Sequence, residues 1–303
     1  MKCKLPFLGI GGTLLVFFVI PLLLVIMFGG ATSKAATGTI DTQGEQANMF
    51  DTYYREPIIQ LQHDKGVLVP FSWLYGAMWY NDIDNTSSDK IQVLLEQAYT
   101  CGEDKCSLVS VDDYVANIQP LMSIKTTTQE ELKNSIMLFT DIDIVFFGGV
   151  NSGGEDVQLS DLANINLSNP LGVGQYNITS RYGLYDPEND GVFEIHYGID
   201  LAPLVPGQEG QAIYAMMDGT VVDRGYNDLA GNFIIIQSKE NPSFKTRYLH
   251  MNALSILTLG KDVKSGDVVG GIGDTGYSFG AHLHLEFHLN NEKINPELVY
   301  KFD

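Results

Sequence analysis

Residues 280–286 read Gly-Ala-His-Leu-His-Leu-Glu, and this alternation of apolar and polar residues predicts a β-strand with one polar face. Successive side chains of a strand point to opposite faces. His282 and His284 therefore project together, roughly 7 Å apart at about 3.3 Å rise per residue. A lone His-x-His pair is more often a solvated strand than a site, so the rest of the chain decides its meaning.

Four of the six histidines fall in three short motifs. Residues 196–200 read His-Tyr-Gly-Ile-Asp, and His250 stands alone between them and the His282–His284 pair. Two imidazoles and a carboxylate suit a borderline metal such as zinc, and three protein ligands with an open fourth position describe a catalytic site. Spacing leaves open which histidine of the pair would be the ligand.

The second half of the chain contains short β runs separated by Gly, Asp or Asn. Such runs lie at 212–215, 219–222, 233–236 and 267–270. Many short strands with this spacing predict an all-β domain.

The segment from 176 to about 300 resembles the lysostaphin-type (LytM-like) zinc metallopeptidases, which cleave peptide bonds in peptidoglycan. The similar stretches follow one another in the family's order: 196–202, 213–222, 231–236, 247–251, 263–270, 273–278 and 280–286.

The resemblance implies an all-β peptidase domain of antiparallel sheets over 176–303. It implies that His196, Asp200 and His284 bind one zinc ion, and that His250 and His282 are catalytic residues beside it. Which of the two acts as general base stays open.

Three neighbouring positions carry less definite expectations. Glu286 and His288 share the strand face of His284 if the strand is regular, and either support the site or serve structure. An arginine is common in the family where Tyr185 stands, which leaves the details of the substrate groove open.

The N-terminus predicts a membrane anchor over 1–31. No charged residue occurs between 6 and 31, which exceeds the ~20 residues that a spanning helix needs. Lys2 and Lys4 place the N-terminus in the cytoplasm by the positive-inside rule. The alternative is a cleaved signal peptide, whose apolar stretch is usually about 7–15 residues long. Either way the remaining domains are expected outside the cytoplasm, at the cell membrane.

Two polar segments, 32–48 and 149–175, read as linkers, and the region 49–148 between them reads as mainly helical. Phe71 to Tyr80 predicts a buried helix, Ser88 an N-cap, and Thr128 with Glu131 a capping box.

Within the region 49–148, residues 69–78 read Val-Pro-Phe-Ser-Trp-Leu-Tyr-Gly-Ala-Met and faintly resemble the early helix of lysozyme-like transglycosylase domains. Such enzymes need a carboxylic acid, normally glutamate, and the corresponding stretch 79–82 reads Trp-Tyr-Asn-Asp. The sequence therefore predicts a degenerate domain without glycosidase activity.

Cys101 and Cys106 bracket a short loop and predict a disulfide in an oxidising compartment.

The net charge of −19 argues against a nucleic-acid partner, because such binding requires clustered Lys and Arg. The sequence thus predicts a multi-domain, membrane-anchored zinc endopeptidase acting on peptidoglycan peptides. The alternative is a catalytically silent wall-binding scaffold or activator of another hydrolase. A conjugation or phage secretion apparatus is the predicted assembly partner.

Overall fold

The computed structural model describes most of the chain after residue 50, namely 51–79, 87–123, 126–148, 162, 165–185 and 194–302. The predicted anchor at 1–31 and the linker at 32–48 lie outside these residues. Within the described ranges, no helix has the length and apolar character needed to cross a bilayer.

The predicted helical region is confirmed. Its α-helices are α1 Glu56–Lys65, α2 Phe71–Trp79, α3 Ser88–Glu96, α4 Val111–Ile118, α5 Gln129–Leu138 and α6 Thr140–Phe147. A π-helical turn, Asp51–Arg55, precedes α1. A small hairpin of β1 Tyr99–Cys101 and β2 Cys106–Leu108 separates α3 from α4, and a disulfide between Cys101 and Cys106 closes it.

Helix α2 lies at the centre of this region. Its side chains from Phe71 to Met78 are buried, as expected for a helix that is apolar all round. Gly76 allows α5 to approach closely, because a Cβ there would lie 2.7 Å from the Cα of Ile136. Ser135 of α5 completes the contact by donating a hydrogen bond to the Gly76 carbonyl at 3.0 Å.

The helix caps follow local sequence with one correction. Thr128 and Glu131 form the predicted capping box at the start of α5. The N-cap of α3 is Ser87, however, and not Ser88, which is already the first helical residue. An N-cap must have non-helical backbone angles, and Ser87 has φ −137° and ψ 153°.

The C-terminal region is built from antiparallel strands, as predicted. They are β3 Tyr176–Ser180, β4 Gly183–Tyr185, β5 Glu194–His196, β6 Ile199–Pro203, β7 Ala212–Tyr214, β8 Gly219–Asn227, β9 Gly231–Ser238, β10 Phe244–Met251, β11 Asp262–Val263, β12 Val268–Gly271, β13 Leu283–Leu289 and β14 Glu292–Ile294. The main sheet has eight strands in the order β11-β8-β9-β10-β13-β6-β3, with β14 also paired to β13.

Strand β13 divides the roles of its two faces. Leu283, Leu285 and Phe287 are fully buried in the core, whereas His284 and Glu286 point to the opposite face. The polar face of the strand thus presents the predicted ligand His284. The apolar face fixes how β13 is aligned with its neighbouring strands.

Part of the predicted linker 149–175 packs against the β-domain. The Ser168 amide donates to the Met216 carbonyl at 2.7 Å, and the Tyr214 amide donates to the Pro170 carbonyl at 2.8 Å. The domain boundaries themselves stay predictions.

Candidate metal centre

Strand pairing brings the predicted metal ligands together. β13 pairs with β6 so that His284 lies opposite Asp200. His196 ends β5, and the short turn from β5 to β6 folds it back over the same strand pair. This turn needs Gly198, because a Cβ there would lie 2.7 Å from Nε2 of His284 and 2.6 Å from the Leu285 carbonyl oxygen.

The three donor atoms lie within one coordination sphere. His196 Nε2 is 3.1 Å from Asp200 Oδ1 and 3.0 Å from His284 Nδ1. His284 Nδ1 is 2.8 Å from Asp200 Oδ1. Ligand atoms of a tetrahedral zinc ion are about 3.3 Å apart when each bond is about 2.0–2.1 Å. The observed triangle is slightly tighter than this value and fits one ion.

Oxygen atoms on the far side of each ring select the inward-facing nitrogens. His196 Nδ1 lies 2.9 Å from the Arg181 carbonyl oxygen, and His284 Nε2 lies 3.6 Å from Glu286 Oε1. A carbonyl and an ionised carboxylate only accept, so these two nitrogens carry hydrogen. In the neutral rings, the inward nitrogens then present lone pairs to each other and to Asp200. A proton or a metal ion must therefore lie between them, and the donor set suits zinc.

Electrostatics in the cluster keep the carboxylate ionised. Burial would raise the pKa of Asp200, but hydrogen bonds to His196 and His284 hold it well below its usual range. Burial would lower the pKa of His284, yet hydrogen bonds and the charges of Asp200 and Glu286 overcome it and raise this pKa to about 9. Protons and a metal ion therefore compete for the same negatively charged position.

The two predicted catalytic histidines border the same cavity. His250 Nδ1 donates to the Thr275 carbonyl at 2.8 Å, and His282 Nδ1 donates to the Gly280 carbonyl at 2.7 Å. Each neutral ring therefore keeps its lone pair on Nε2, and His282 Nε2 lies 3.6 Å from Asp200 Oδ1. Burial, and next the neighbouring His282, lower the pKa of His250 to about 4, so it is neutral at pH 7.

A second set of three side chains also places its ligand atoms close enough together to hold a metal ion. The ligand atoms of His250, His282 and His284 all lie within 4.8 Å of one another. The set containing Asp200 is tighter, with every separation at 3.1 Å or less, and it includes a negative charge. These facts favour His196, Asp200 and His284 as the ligands. Their roles, and those of His250 and His282, stay predictions.

Glu286 and His288, whose roles the sequence leaves open, both lie beside the site. Behind His284, the Glu286 carboxylate receives hydrogen bonds from Lys293 Nζ and His288 Nε2, each at 2.9 Å. It also pairs with Arg247. Burial would raise the pKa of Glu286, but its hydrogen bonds and the Arg247 charge keep it far below its usual range. A permanent negative charge thus holds the His284 ring.

A cavity of about 900 Å³ opens above the cluster. Its rim carries exposed apolar side chains, Leu229, Tyr277 and Phe279. Tyr185 also borders it, with its ring 5.2 Å from that of His196. The rim suits a peptide that packs against aromatic rings.

Sequence reasoning misses the groups that orient the rings. They are the backbone carbonyls of Arg181, Thr275 and Gly280. Every residue carries a carbonyl, so the sequence contains no signal that distinguishes these three.

Comparison with known proteins supports the assignment of this region. Residues 194–296 match the model of peptidase family M23. An uncharacterized metalloprotease of Buchnera aphidicola subsp. Baizongia pistaciae is 38% identical over 102 residues, covering 34% of this chain and 25% of that protein. The peptidoglycan DD-endopeptidase ShyC of Vibrio cholerae is 36% identical over 110 residues, covering 36% and 24% respectively.

A solved structure of a zinc-containing peptidase from Vibrio cholerae is 27% identical, covers 46% of this chain and 41% of that one, and superposes with a TM-score of 0.39. The chain spans only about a quarter of the length of the two curated relatives. The family model covers most of the β-domain, which contains the cluster. Residues 194–296 of this chain therefore resemble peptidase family M23, whose model they match.

Proposed function

We propose that this protein is a membrane-anchored, zinc-dependent endopeptidase that hydrolyses peptide bonds of peptidoglycan. The observation that carries the proposal is a ligand cluster that opens into a peptide-sized cavity beside two further histidines. The curated relative named as a peptidoglycan DD-endopeptidase supports the substrate class.

His196, Asp200 and His284 would hold the zinc ion. When bound, zinc lowers the pKa of water and polarises a carbonyl group, which are the two requirements of peptide hydrolysis. The protein fixes both rings in advance, through the Arg181 carbonyl and the Glu286 carboxylate. Little reorganisation of these ligands is needed when the metal binds.

His250 and His282 would move the protons. A neutral imidazole with its lone pair on Nε2 accepts a proton from the attacking water and then returns it to the leaving amine. The protonated ring can also donate a hydrogen bond to the developing oxyanion. Both rings have their Nδ1 tied to a carbonyl, so both are held for this exchange at Nε2.

The N-terminal segment would restrict where the enzyme acts. An anchor at 1–31 and a flexible linker at 32–48 would keep the domains near the extracytoplasmic face of the cell membrane, since such a linker spans roughly 20 Å as a coil. Only wall close to the membrane would then be reached. Fractionation of cells with an antibody to the C-terminal domain tests this, and recovery of the full-length chain in the medium would contradict it.

Incubation of the full chain with purified wall sacculi, followed by mass analysis of the released muropeptides, tests the reaction. We expect new amino termini that disappear on chelation and return with added zinc. Asp200→Asn should abolish them, whereas Asp262→Asn, at an exposed carboxylate outside the cluster, should not. Equal turnover by chelated and zinc-loaded protein would refute the mechanism. Binding of sacculi without any cleavage would favour the scaffold alternative.

We further propose that the enzyme opens the wall for a conjugation or phage apparatus. The faint lysozyme-like character of 49–148 motivates this narrower role, because wall hydrolases of mobile elements combine such domains. Crosslinking in cells should capture membrane components of such an apparatus. Capture of division proteins alone would contradict the role.

A further inference from the structure

We propose that Glu297 and Arg181 position the His196 ring, and that the helical domain holds this pair in place. The inference rests on the zinc centre of the proposed function. The residues involved are far apart in the chain and are joined only by tertiary contacts.

The first contact orients His196. Its Nδ1 donates to the carbonyl of Arg181 at 2.9 Å, and this bond turns Nε2 toward the metal position. The side chain of Arg181 in turn pairs with the carboxylate of Glu297, 116 residues further along the chain. Glu297 is only 6% exposed, so the ion pair is shielded from water on the acid side. The pair therefore restrains the residue whose carbonyl the histidine uses.

The second contact ties Glu297 to the helical domain. Glu297 lies in a 3₁₀ turn, Pro296–Leu298, which the fully buried Asn295 caps. The side-chain Nδ2 of Asn295 donates to the Phe146 carbonyl at 3.0 Å, and its backbone N–H donates to the Phe147 carbonyl at 3.2 Å. Both carbonyls lie at the end of α6. At the end of α1, His63 Nε2 donates to the Glu297 carbonyl at 2.7 Å. Two helices thus hold one turn.

The third contact reaches the strand of His196 directly. Gly183 in β4 lies opposite His196 in β5. Phe146 of α6 and Arg55 pack against Gly183, where a Cβ would lie 3.2 Å from Phe146 Cδ1 and 3.1 Å from Arg55 Nη2. Gly183 also has φ +117°, which side chains rarely tolerate. The helical domain therefore supports Arg181 from the turn at 296–298 and from β4.

A purely structural role for the ion pair makes a different prediction. If the pair only stabilises the fold, its loss lowers the unfolding temperature and leaves the zinc affinity of the folded protein unchanged. If the pair positions His196, its loss lowers the zinc affinity of the folded protein, even at temperatures well below the unfolding temperature. Loss of an outer hydrogen-bonding partner typically weakens metal binding by about 10–100-fold.

The experiment measures the zinc dissociation constant of the full chain by competition with a chelating dye. Glu297→Gln should raise this constant about 10-fold or more. Glu297→Gln leaves the partly buried Arg181 without its carboxylate partner, which can destabilise the fold, so the double variant Arg181→Gln with Glu297→Gln removes both charges. We expect weakened binding in the double variant as well. His63→Ala should give a smaller effect than Glu297→Gln, because it removes only one of the bonds that hold the turn.

The matched control is Asp262→Asn, which breaks an exposed ion pair with Lys239 at 2.6 Å. Its zinc affinity should equal that of the unaltered chain. Visible absorption of the cobalt-substituted protein gives a second readout, with bands that shift in Glu297→Gln and not in the control. Zinc constants within twofold of the unaltered chain, for both Glu297 variants in folded form, would overturn the proposal. No substrate is involved, so a failure of the proposed wall hydrolysis would leave this result interpretable.

Discussion

Asp143 in the helical domain and Asp200 in the β-domain are both buried carboxylates, 9% and 6% exposed. Asp143 accepts hydrogen bonds from the Ser72 amide at 2.9 Å and the Ser72 hydroxyl at 2.7 Å, at the start of α2. Asp200 faces two imidazole nitrogens whose rings donate elsewhere. The first carboxylate is satisfied by protein donors, whereas the second belongs to a cluster that could hold a metal ion.

The pKa values of Asp143 and Asp200 shift in opposite directions because their hydrogen-bond partners differ. Burial raises the pKa of Asp143 to about 6, because the Ser72 hydrogen bonds only partly offset it. The histidines hold the pKa of Asp200 well below its usual range, although burial opposes them. One residue type thus serves helix packing in one domain and is the predicted metal ligand in the other. The neighbours decide which role it takes.

The largest expected effect comes from exchanging these two aspartates for asparagine. Asp200→Asn should weaken zinc binding by more than the roughly 10–100-fold that an outer partner costs, and should reduce wall hydrolysis to background. Asp143→Asn should leave both unchanged at 25 °C. Zinc content of the purified proteins and muropeptide release check this. Retained zinc in Asp200→Asn would remove Asp200 from the ligand set.

A large effect on rate alone is expected at His250 and His282. Alanine at either position should lower kcat by about 10²–10⁴-fold, the usual contribution of a positioned acid or base, while zinc stays bound. Single-turnover kinetics with a muropeptide substrate, beside metal analysis, provide the measurement. Loss of zinc from both variants would instead favour His250, His282 and His284 as the ligands.

Packing of the helical domain can be broken without changing a charge. In Gly76→Ala the new Cβ meets backbone atoms of Ile136 at 2.7 Å, so α2 and α5 must separate, at a cost of about 3 kcal/mol. Gly102→Ala is the matched control, because its Cβ would lie 3.7 Å from the nearest atom, an ordinary contact. Urea unfolding of both variants checks the difference. Equal unfolding free energies would show that the close helix approach costs nothing to disturb.

The smallest expected effect is a pH dependence that Asp143 imparts to folding. Its folded pKa of about 6 exceeds the unfolded value near 3.9, so the folded state keeps a proton that the unfolded state has lost between these values. The stability that this group contributes is therefore full below about pH 4, falls as pH rises to about 6, and changes no further above that, with a total change of at most about 3 kcal/mol.

The measurement compares the unfolding free energy of the unaltered chain and Asp143→Asn from pH 4 to pH 7. Asparagine has no proton to lose, so the difference between the two proteins should vary over this window and level off above it. A constant difference across the whole range would exclude Asp143 as the titrating group.

Local patterns in the sequence were sufficient for several features. The alternation at 280–286 predicts a strand with two histidines on one face. His284 lies in β13 as predicted, whereas His282 precedes the strand and forms only an isolated bridge with Gly273. The capping box of Thr128 and Glu131 and the disulfide of Cys101 with Cys106 are found as predicted. Each of these features depends on residues no more than a few positions apart, whose geometry the backbone largely fixes.

The sequence by itself determined the residue types of the candidate metal centre, because imidazole and carboxylate donors suit zinc and few histidines are present. Only the tertiary structure decided which ring nitrogen faces inward. That choice depends on carbonyls supplied by Arg181, Thr275 and Gly280 from distant loops. It also decided that Glu297, 116 residues from Arg181, contacts it. Backbone acceptors are identical in every residue, so only the folded chain distinguishes them.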